Sequence, residues 1–177
     1  SISYLKTIHN KGEIIVPALT WVSDVTSILY NGFTPVFVDI NLNNLGANYD
    51  SIKKSINKNT IGIFLTHALG FNAWSDKLLD LIKQKKLILI EDVCEAHGAS
   101  FKNKKLGNYG KISNFSFYYA HHMSTIEGGM VCTNDKKIYD IIRVMRSHGM
   151  IRESVDLSKK KSIYKKYSNL FNNWIGF

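Results

Sequence analysis

Two adjacent histidines stand where an aromatic, strand-like segment ends, in SFYYAHHMSTIEGGM at residues 116–130. Imidazole titrates near neutral pH, so His121 or His122 could accept and return a proton at a bound substrate. If the strand continued through both residues, their side chains would point to opposite faces, and only one would face a site. The alternative is that both are structural, as most single histidines are.

A second candidate is Asp92, at the acidic end of LILIEDV (87–93), which is apolar on both faces before that point. Such a segment is typical of a central strand in a parallel sheet. A carboxylate there is costly unless a cation pairs with it, and a protonated pyridine nitrogen is one such cation. The alternative is that Asp92 caps a helix or turn. The adjacent Glu91 is interpreted as a sheet-edge or structural residue.

Three other residues fall near predicted strand ends. Trp21 offers a flat face to an aromatic ring, or it is a core aromatic of the helix that follows. Ser116 precedes His121 by five residues and could donate to a phosphate, or it is an ordinary strand serine. His67, at the end of another strand, could line the same cleft.

Strand and helix patterns alternate along the chain. The predicted strands cover 12–18, 34–40, 60–67, 87–93, 114–120 and 128–134, and the predicted helices 20–32, 49–56, 75–86 and 135–149. This alternation predicts right-handed βαβ connections and a three-layer α/β/α domain with a mainly parallel mixed sheet. Ligands of such sheets bind beyond the carboxyl ends of the strands, where Trp21, Asp92 and His121 are expected to meet. From Met150 onward no period is clear, and we expect a connection.

Bulk composition narrows the class of protein. The 177 residues are 45% apolar and 12% aromatic, which suits one folded domain. The net charge of +9 could attract nucleic acid or a nucleotide-bearing substrate. The lysines are scattered without a nucleic-acid motif, so solvated helix faces explain most of the charge and no nucleic-acid partner is expected. The chain shows neither a span-length apolar run nor a basic-then-apolar leader, so we expect a cytoplasmic protein without a membrane partner. Cys94 and Cys132 form neither a disulfide framework nor a metal-ligand spacing.

Several blocks of the sequence share their order and spacing with a known family: GEIIVPALTWVSD, GFTPVFVDI, IEDVCEAHGASFKNKKLGNYGKISNFSFY, EGGMVCTND and RSHG. Over 12–149 the chain resembles the large domain of the DegT/DnrJ-type sugar aminotransferases, pyridoxal-phosphate (PLP) enzymes of fold type I, the aspartate aminotransferase fold. The resemblance implies that 1–149 is a PLP-binding large domain, incomplete at its N-terminus. It also implies that 150–177 leads toward a missing small domain, and that the complete protein is a homodimer.

The resemblance also assigns roles to residues. Asp92 would pair with the pyridine nitrogen, Trp21 would stack on the ring, and Ser116 would bind the phosphate. Glu95 replaces the family's glutamine near the ring oxygen. The family's Schiff-base lysine falls at His121, and HHMSTIEGGM is similar to the histidine-containing sugar 3-dehydratases, of the GDP-4-keto-6-deoxymannose 3-dehydratase type.

The subgroup's reaction begins with pyridoxamine 5'-phosphate (PMP) condensing with the C4 ketone of a nucleotide-linked 4-keto-6-deoxysugar. The resemblance implies that His121 then moves a proton, that the C3 hydroxyl leaves, and that L-glutamate regenerates PMP, in deoxysugar and O-antigen lipopolysaccharide biosynthesis. A CDP-linked relative adds an iron–sulfur cluster held by cysteines beyond the EGG block. Residues 133–177 contain no cysteine, so no iron–sulfur cluster is expected. The alternatives are a sugar aminotransferase that lost its lysine and an inactive truncated remnant.

Overall fold

The computed structural model describes residues 1–166, and the chain divides into two compact units, Ser1–Cys132 and Thr133–Phe177. This division falls before residue 149, where the sequence placed the end of a cofactor-binding domain, and that domain boundary stays a prediction. Within residues 1–166, no helix has both the length and the apolar composition needed to cross a bilayer.

The first unit is built on a six-stranded sheet in the order β2-β1-β3-β4-β7-β8. Its strands are β1 Glu13–Pro17, β2 Thr34–Val38, β3 Thr60–Thr66, β4 Ile88–Asp92, β7 Ile112–Ser116 and β8 Gly129–Cys132. A two-stranded hairpin, β5 Ser100–Phe101 and β6 Lys104–Lys105, was not predicted. The first five strands in that order are mutually parallel and β8 is antiparallel to β7. The predicted mainly parallel mixed sheet is therefore confirmed.

Helices connect the parallel strands. The first unit contains α1 Ile2–Lys6, α2 Val22–Tyr30, α3 Tyr49–Ser55 and α4 Asp76–Lys85, with a 3₁₀ turn at Ala68–Gly70. Polar side chains start two of these helices, because Asn48 accepts from the Ser51 amide and Ser75 accepts from the Leu78 amide.

The central strands β1, β3 and β4 are buried on both faces, as their apolar sequences predicted. Ile15 of β1 packs in one cluster with Ile63, Leu89 and residues of α3 and α4. Ile14 and Val16, which alternate with Ile15 and so face the other way, are also fully buried. Only the strand ends therefore remain available for polar chemistry.

The second unit corrects one prediction. It contains α5 Lys136–Arg146, a 3₁₀ turn at Ile151–Glu153, and a further helix, α6 Leu157–Lys166, where no period had been found. Helix α6 buries no residue, so it has no apolar stripe to detect. Its lysines are good helix formers, and Asp156 accepts hydrogen bonds from the Ser158 and Lys159 amides at its start.

Strand β7 also differs from its prediction. The expected strand ran over 114–120, whereas β7 ends at Ser116, whose partner in β8 is Gly129. Past that pair only the Phe117 amide still bonds to Gly128, and the chain then turns so that the His121 amide donates to the Tyr118 carbonyl. The aromatic run after Ser116 is therefore loop, because its partner strand has ended.

Glu91 anchors the centre of the sheet to the loop that precedes β7. Its side chain is fully buried, and its carboxylate accepts hydrogen bonds from five donors: His67 Nε2, Trp74 Nε1 and the amides of Gly107, Tyr109 and Gly110. Burial alone would raise the pKa of Glu91, but these bonds outweigh it and lower the pKa. Glu91 is structural, as one of the two interpretations held, but it lies in a central strand and not at a sheet edge.

Replacing Glu91 with glutamine should lower the free energy of unfolding at neutral pH by about 2–4 kcal/mol, because an amide NH₂ would then face backbone donors. Urea unfolding measures the change. The matched control is Asp80→Asn, on an exposed position of α4, which should stay within about 0.5 kcal/mol of the wild type.

The same carboxylate should make stability depend on acid. The pKa of Glu91 is lower in the folded protein than its ordinary value of 4.5, so the ionised carboxylate stabilises the fold fully at pH values above 4.5. This stabilisation is lost as the pH falls from 4.5 through the folded-state pKa. The gap between wild type and Glu91→Gln should narrow below about pH 4.5. A gap that stays constant down to pH 3 would contradict this account.

Candidate active site

The first unit contains a cavity of about 760 Å³ at the carboxyl ends of β1, β3, β4 and β7. These four strands are neighbours in the sheet, so the residues that follow each of them meet at one edge. All five residues selected from the sequence line this cavity: Trp21, Asp92, Glu95, Ser116 and His121. The expected convergence of Trp21, Asp92 and His121 is confirmed.

Asp92 is the last residue of β4 and is only 6% exposed. One carboxylate oxygen, Oδ1, accepts a hydrogen bond of 2.9 Å from the Cys94 amide, so the capping alternative is partly realised. Among residues 1–166, no lysine or arginine forms an ion pair with this side chain. A buried carboxylate that faces a cavity without a cation favours a cationic ligand.

A second carboxylate, Asp24, stands beside Asp92 and was missed at the sequence level. It lies in the first turn of α2 and is 6% exposed. Its Oδ2 accepts from the Thr20 hydroxyl at 2.5 Å and lies 3.3 Å from the Thr66 hydroxyl. Burial, followed by the neighbouring charge of Asp92, raises the pKa of Asp24 to about 8. In the sequence it resembles an ordinary acidic residue near a helix N-terminus, and only its burial distinguishes it.

Trp21 immediately precedes α2, in extended conformation, and the residue is 69% exposed. The alternative that it is a core aromatic is therefore wrong. Its position in the cavity wall leaves the indole face free to contact a flat ligand.

Ser116 and His121 reach the cavity from the end of β7 and the turn after it. The Ser116 hydroxyl accepts a hydrogen bond of 3.3 Å from the Tyr118 amide. The His121 ring lies 6.3 Å from the Tyr118 ring and 6.4 Å from that of His97, between centroids. His122 is exposed and does not line the cavity. His121 therefore faces the site and His122 does not, so one histidine of the pair does so, as expected. The turn after β7 places them, because the strand ends before either histidine and its alternation does not reach them.

His67 also lines the cavity, but both of its nitrogens are already engaged. Nδ1 accepts from the Ala73 amide at 3.2 Å, so Nε2 carries the proton that it shares with Glu91 at 3.1 Å. The residue is almost completely buried. These contacts make His67 part of the wall and not a group that exchanges protons with a ligand.

Glu95 lines the cavity, and its expected position beside a cofactor ring oxygen stays a prediction. Its Oε2 accepts a hydrogen bond of 2.6 Å from the Leu69 amide. Leu69 has a positive φ of 52°, a left-handed conformation that is costly for a residue with a side chain. Glu95 therefore holds the loop after β3 in place at the rim of the cavity.

The residues around the cavity suit a flat aromatic cation with a phosphate. Asp92 can pair with a protonated ring nitrogen, Trp21 can contact the ring, and the Ser116 hydroxyl can donate to a phosphate oxygen. The described lining contains no lysine, so it offers no side-chain amine for covalent attachment. His121 contributes an imidazole, a group that can accept and return a proton.

Solved structures with this architecture define the class. The fold is that of the PLP-dependent sugar aminotransferases: a crystal structure of GDP-4-keto-6-deoxymannose-3-dehydratase with a trapped PLP–glutamate geminal diamine matches with a TM-score of 0.77. The two are 37% identical, and the match covers 80% of this chain and 37% of that one.

The sequence places the chain within that class. It belongs to the DegT/DnrJ/EryC1/StrS aminotransferase family, whose sequence profile matches residues 3–170. It is 37% identical over 151 residues to GDP-4-keto-6-deoxy-D-mannose 3-dehydratase of Escherichia coli O55:H7, a match that covers 85% of this chain. It is 38% identical over 138 residues to GDP-perosamine synthase of Escherichia coli O157:H7, covering 78% of this chain. The chain spans 38% of the length of each relative.

Removing the Glu95 carboxylate should release the loop that it holds. In Glu95→Ala, the Leu69 amide loses its acceptor, so its hydrogen-exchange protection should fall by at least about tenfold, as the loss of roughly 1.4 kcal/mol predicts. Glu95→Gln keeps an acceptor oxygen and should retain the protection. Equal protection in wild type and Glu95→Ala would show that the carboxylate does not hold the loop.

Proposed function

We propose that the protein is part of a PLP/PMP-dependent lyase that removes the C3 hydroxyl from a nucleotide-linked 4-keto-6-deoxyhexose. The observation that carries the proposal is that His121 lines the cavity while no lysine does, among the described residues. The reaction would serve deoxysugar biosynthesis, and by resemblance O-antigen synthesis.

The names of the relatives support the substrate class. One is a 3-dehydratase for a GDP-linked keto-deoxymannose and the other a GDP-perosamine synthase, so a nucleotide-linked sugar fits both. Their identities to this chain, 37% and 38%, do not separate dehydration from amino transfer. The choice between the two reactions therefore depends on the chemistry of the side chain at position 121.

Three side chains would hold the cofactor. Asp92 would pair with its ring nitrogen and keep that nitrogen protonated, Trp21 would lie on the ring, and Ser116 would bind the phosphate. When bound, the cofactor supplies an electron sink that stabilises negative charge on the carbon bonded to its amine. Glu95 would shape the rim beside the ring through the Leu69 loop.

His121 would carry the proton transfers. Its imidazole can take a proton from the C4′ carbon of the cofactor and return one to the C3 hydroxyl of the sugar, so that the hydroxyl leaves as water. A lysine at this position would also be able to bond covalently to the cofactor, which is the route of amino transfer. Because imidazole forms no such bond, elimination at C3 is favoured.

Two partners belong to the proposal. L-Glutamate is the proposed amino donor that regenerates the amine form of the cofactor, and the PLP–glutamate adduct trapped in a related dehydratase supports it. A second copy of the complete protein is the proposed partner in a homodimer, as the family resemblance implies.

The second candidate function is amino transfer to the same class of sugar. The 38% identity to a GDP-perosamine synthase favours it. Mass spectrometry distinguishes the two after incubating the full-length protein with L-glutamate, PLP and a GDP- or CDP-linked 4-keto-6-deoxysugar. Dehydration gives a product that keeps the ketone and lacks one oxygen, whereas amino transfer gives an amino sugar that keeps the C3 hydroxyl.

Replacing His121 with lysine should change the way in which the cofactor is held. The lysine amine can bond covalently to PLP, so the full-length variant should acquire a visible absorbance. Borohydride reduction should abolish this absorbance and fix the cofactor to the protein. Loss of C3 hydroxyl should fall by about 10²–10⁴-fold, the usual contribution of a general acid–base.

His122→Lys is the matched control for that variant. It introduces the same amine at the neighbouring exposed position outside the cavity, so dehydration should be retained and no borohydride-stable adduct should form in the site. Dehydration at the wild-type rate in His121→Lys would contradict the assigned role.

Replacing Asp92 with asparagine should weaken the binding of PLP by about 10- to 100-fold, because the ion pair with the ring nitrogen is lost. Absorbance titration with PLP measures the dissociation constant, and the exposed Asp80→Asn serves as the control. Wild-type affinity in Asp92→Asn would contradict the pairing of this carboxylate with the pyridine nitrogen.

A further inference from the structure

Asp24 and Asp92 bring two carboxylates from different elements to the same edge of the cavity. Asp24 comes from α2 and Asp92 from the end of β4, and both are 6% exposed. Both line the cavity, and Thr66, whose hydroxyl lies 3.3 Å from Asp24 Oδ2, is the partner of Asp92 in the register of β3 and β4, so the two carboxylates are neighbours. Two ionised carboxylates that are buried side by side repel each other strongly, and a proton held between them relieves that repulsion.

The threonine contacts show where the donors and acceptors lie. The Thr20 hydroxyl is 2.6 Å from that of Thr66 and 2.5 Å from Asp24 Oδ2, so the two hydroxyls form a chain that ends on this oxygen. Oδ2 therefore acts as an acceptor, which leaves Oδ1 of Asp24 to carry the proton. On the other side, Asp92 already accepts from the Cys94 amide.

The titratable groups around the pair do not supply a compensating charge. Cys94 and Glu95 follow Asp92 in the chain, and both are neutral or negative. His67 and His121 also line the cavity, but Nε2 of His67 is engaged with Glu91 and His121 stands on the turn after β7, while Glu127 adds another carboxylate to the lining. No lysine or arginine of residues 1–166 forms an ion pair with either carboxylate.

We propose that Asp24 is a positioning residue, which in its neutral form donates a hydrogen bond to Asp92 and holds that carboxylate, ionised, toward the ring nitrogen of the cofactor. The inference rests on the proposed PLP function in one respect, namely that the group toward which Asp92 is held is the ring nitrogen of PLP. The position of the proton, by contrast, depends only on the chain itself. Asparagine at position 24 reproduces a neutral carboxyl, because its amide can donate to Asp92 and its oxygen can accept from Thr20.

The first experiment locates the proton without any cofactor. In the full chain, ¹³C NMR of the aspartate carboxyl groups should show one protonated carboxyl at pH 7, which titrates near pH 8 and is missing in Asp24→Asn. In Asp92→Asn the Asp24 carboxyl should titrate at lower pH, because its charged neighbour is gone. An Asp24 carboxyl that titrates near pH 4 in the wild type would overturn the inference.

The second experiment uses PLP alone as the probe and measures its dissociation constant by absorbance from pH 6 to 9. Asp24→Asn should bind within about threefold of wild type at pH 7, whereas Asp24→Ala should bind at least about tenfold more weakly, as the loss of a hydrogen bond to a charged group predicts. The affinity of the wild type for PLP, divided by that of Asp24→Asn, should stay constant from pH 6 to about pH 7 and change near pH 8. Asp24 loses its proton there, whereas asparagine has none to lose.

The outcomes separate this inference from the proposed function. Equal weakening in Asp24→Asn and Asp24→Ala would mean that the negative charge matters and would overturn the inference, as would unchanged binding in both variants. A constant affinity ratio across the pH range would also overturn it. Failure of the full-length wild type to bind PLP would contradict the proposed function, and the NMR titration would still decide where the proton lies.

Discussion

A buried carboxylate needs either hydrogen-bond donors or a cation, and this requirement organises the centre of the first unit. Strand β4 ends with two carboxylates that point to opposite faces of the sheet. Glu91 faces the protein interior, where five donors surround it, and it ties β4 to the loop before β7. Asp92 faces the cavity, where the described residues supply no cation. One carboxylate holds the fold together, and its neighbour is left for a ligand.

The parallel order of the strands explains why the remaining site residues lie near Asp92. Because β1, β3, β4 and β7 run in the same direction side by side, their carboxyl ends open on one edge. Trp21 and Asp24 follow β1, and Thr66 ends β3 opposite Asp92 in the register of the two strands. The hydroxyl chain from Thr66 through Thr20 to Asp24 thus links the ends of two neighbouring strands, β3 and β1. Neighbouring strands position these contacts with little help from long loops.

The proposed reaction depends on one loop that the sheet does not hold. β7 ends at Ser116, and the tight turn at Tyr118–His121 brings the imidazole back over the cavity. The rigid strand end would hold the phosphate of the proposed cofactor, while the turn would hold the residue that moves the proton. This division suits a family that performs different reactions on one scaffold, since a change in the turn leaves the cofactor contacts of the strands in place.

The sequence by itself determined the strand–helix alternation, the burial of the central strands and the positions of Asp92 and Trp21 at strand ends. These features depend on local patterns of apolar residues, which are visible in any window of the chain. It also determined that position 121 holds an imidazole and not an amine, which is a matter of residue identity alone. Helix α6 escaped detection because it has no apolar stripe, and β7 was predicted too long because the end of its partner β8 is not a local property.

Only the tertiary structure decided which polar groups are buried together. Asp24 resembles an ordinary acid of a helix first turn until α2 packs it beside Asp92, and the resulting desolvation and repulsion raise its pKa to about 8. His67 lines the cavity as expected, but its two nitrogens are engaged by the Ala73 amide and by Glu91, so it belongs to the wall. The reason is that desolvation and pairing depend on distances between residues far apart in the chain, and no local pattern encodes those distances.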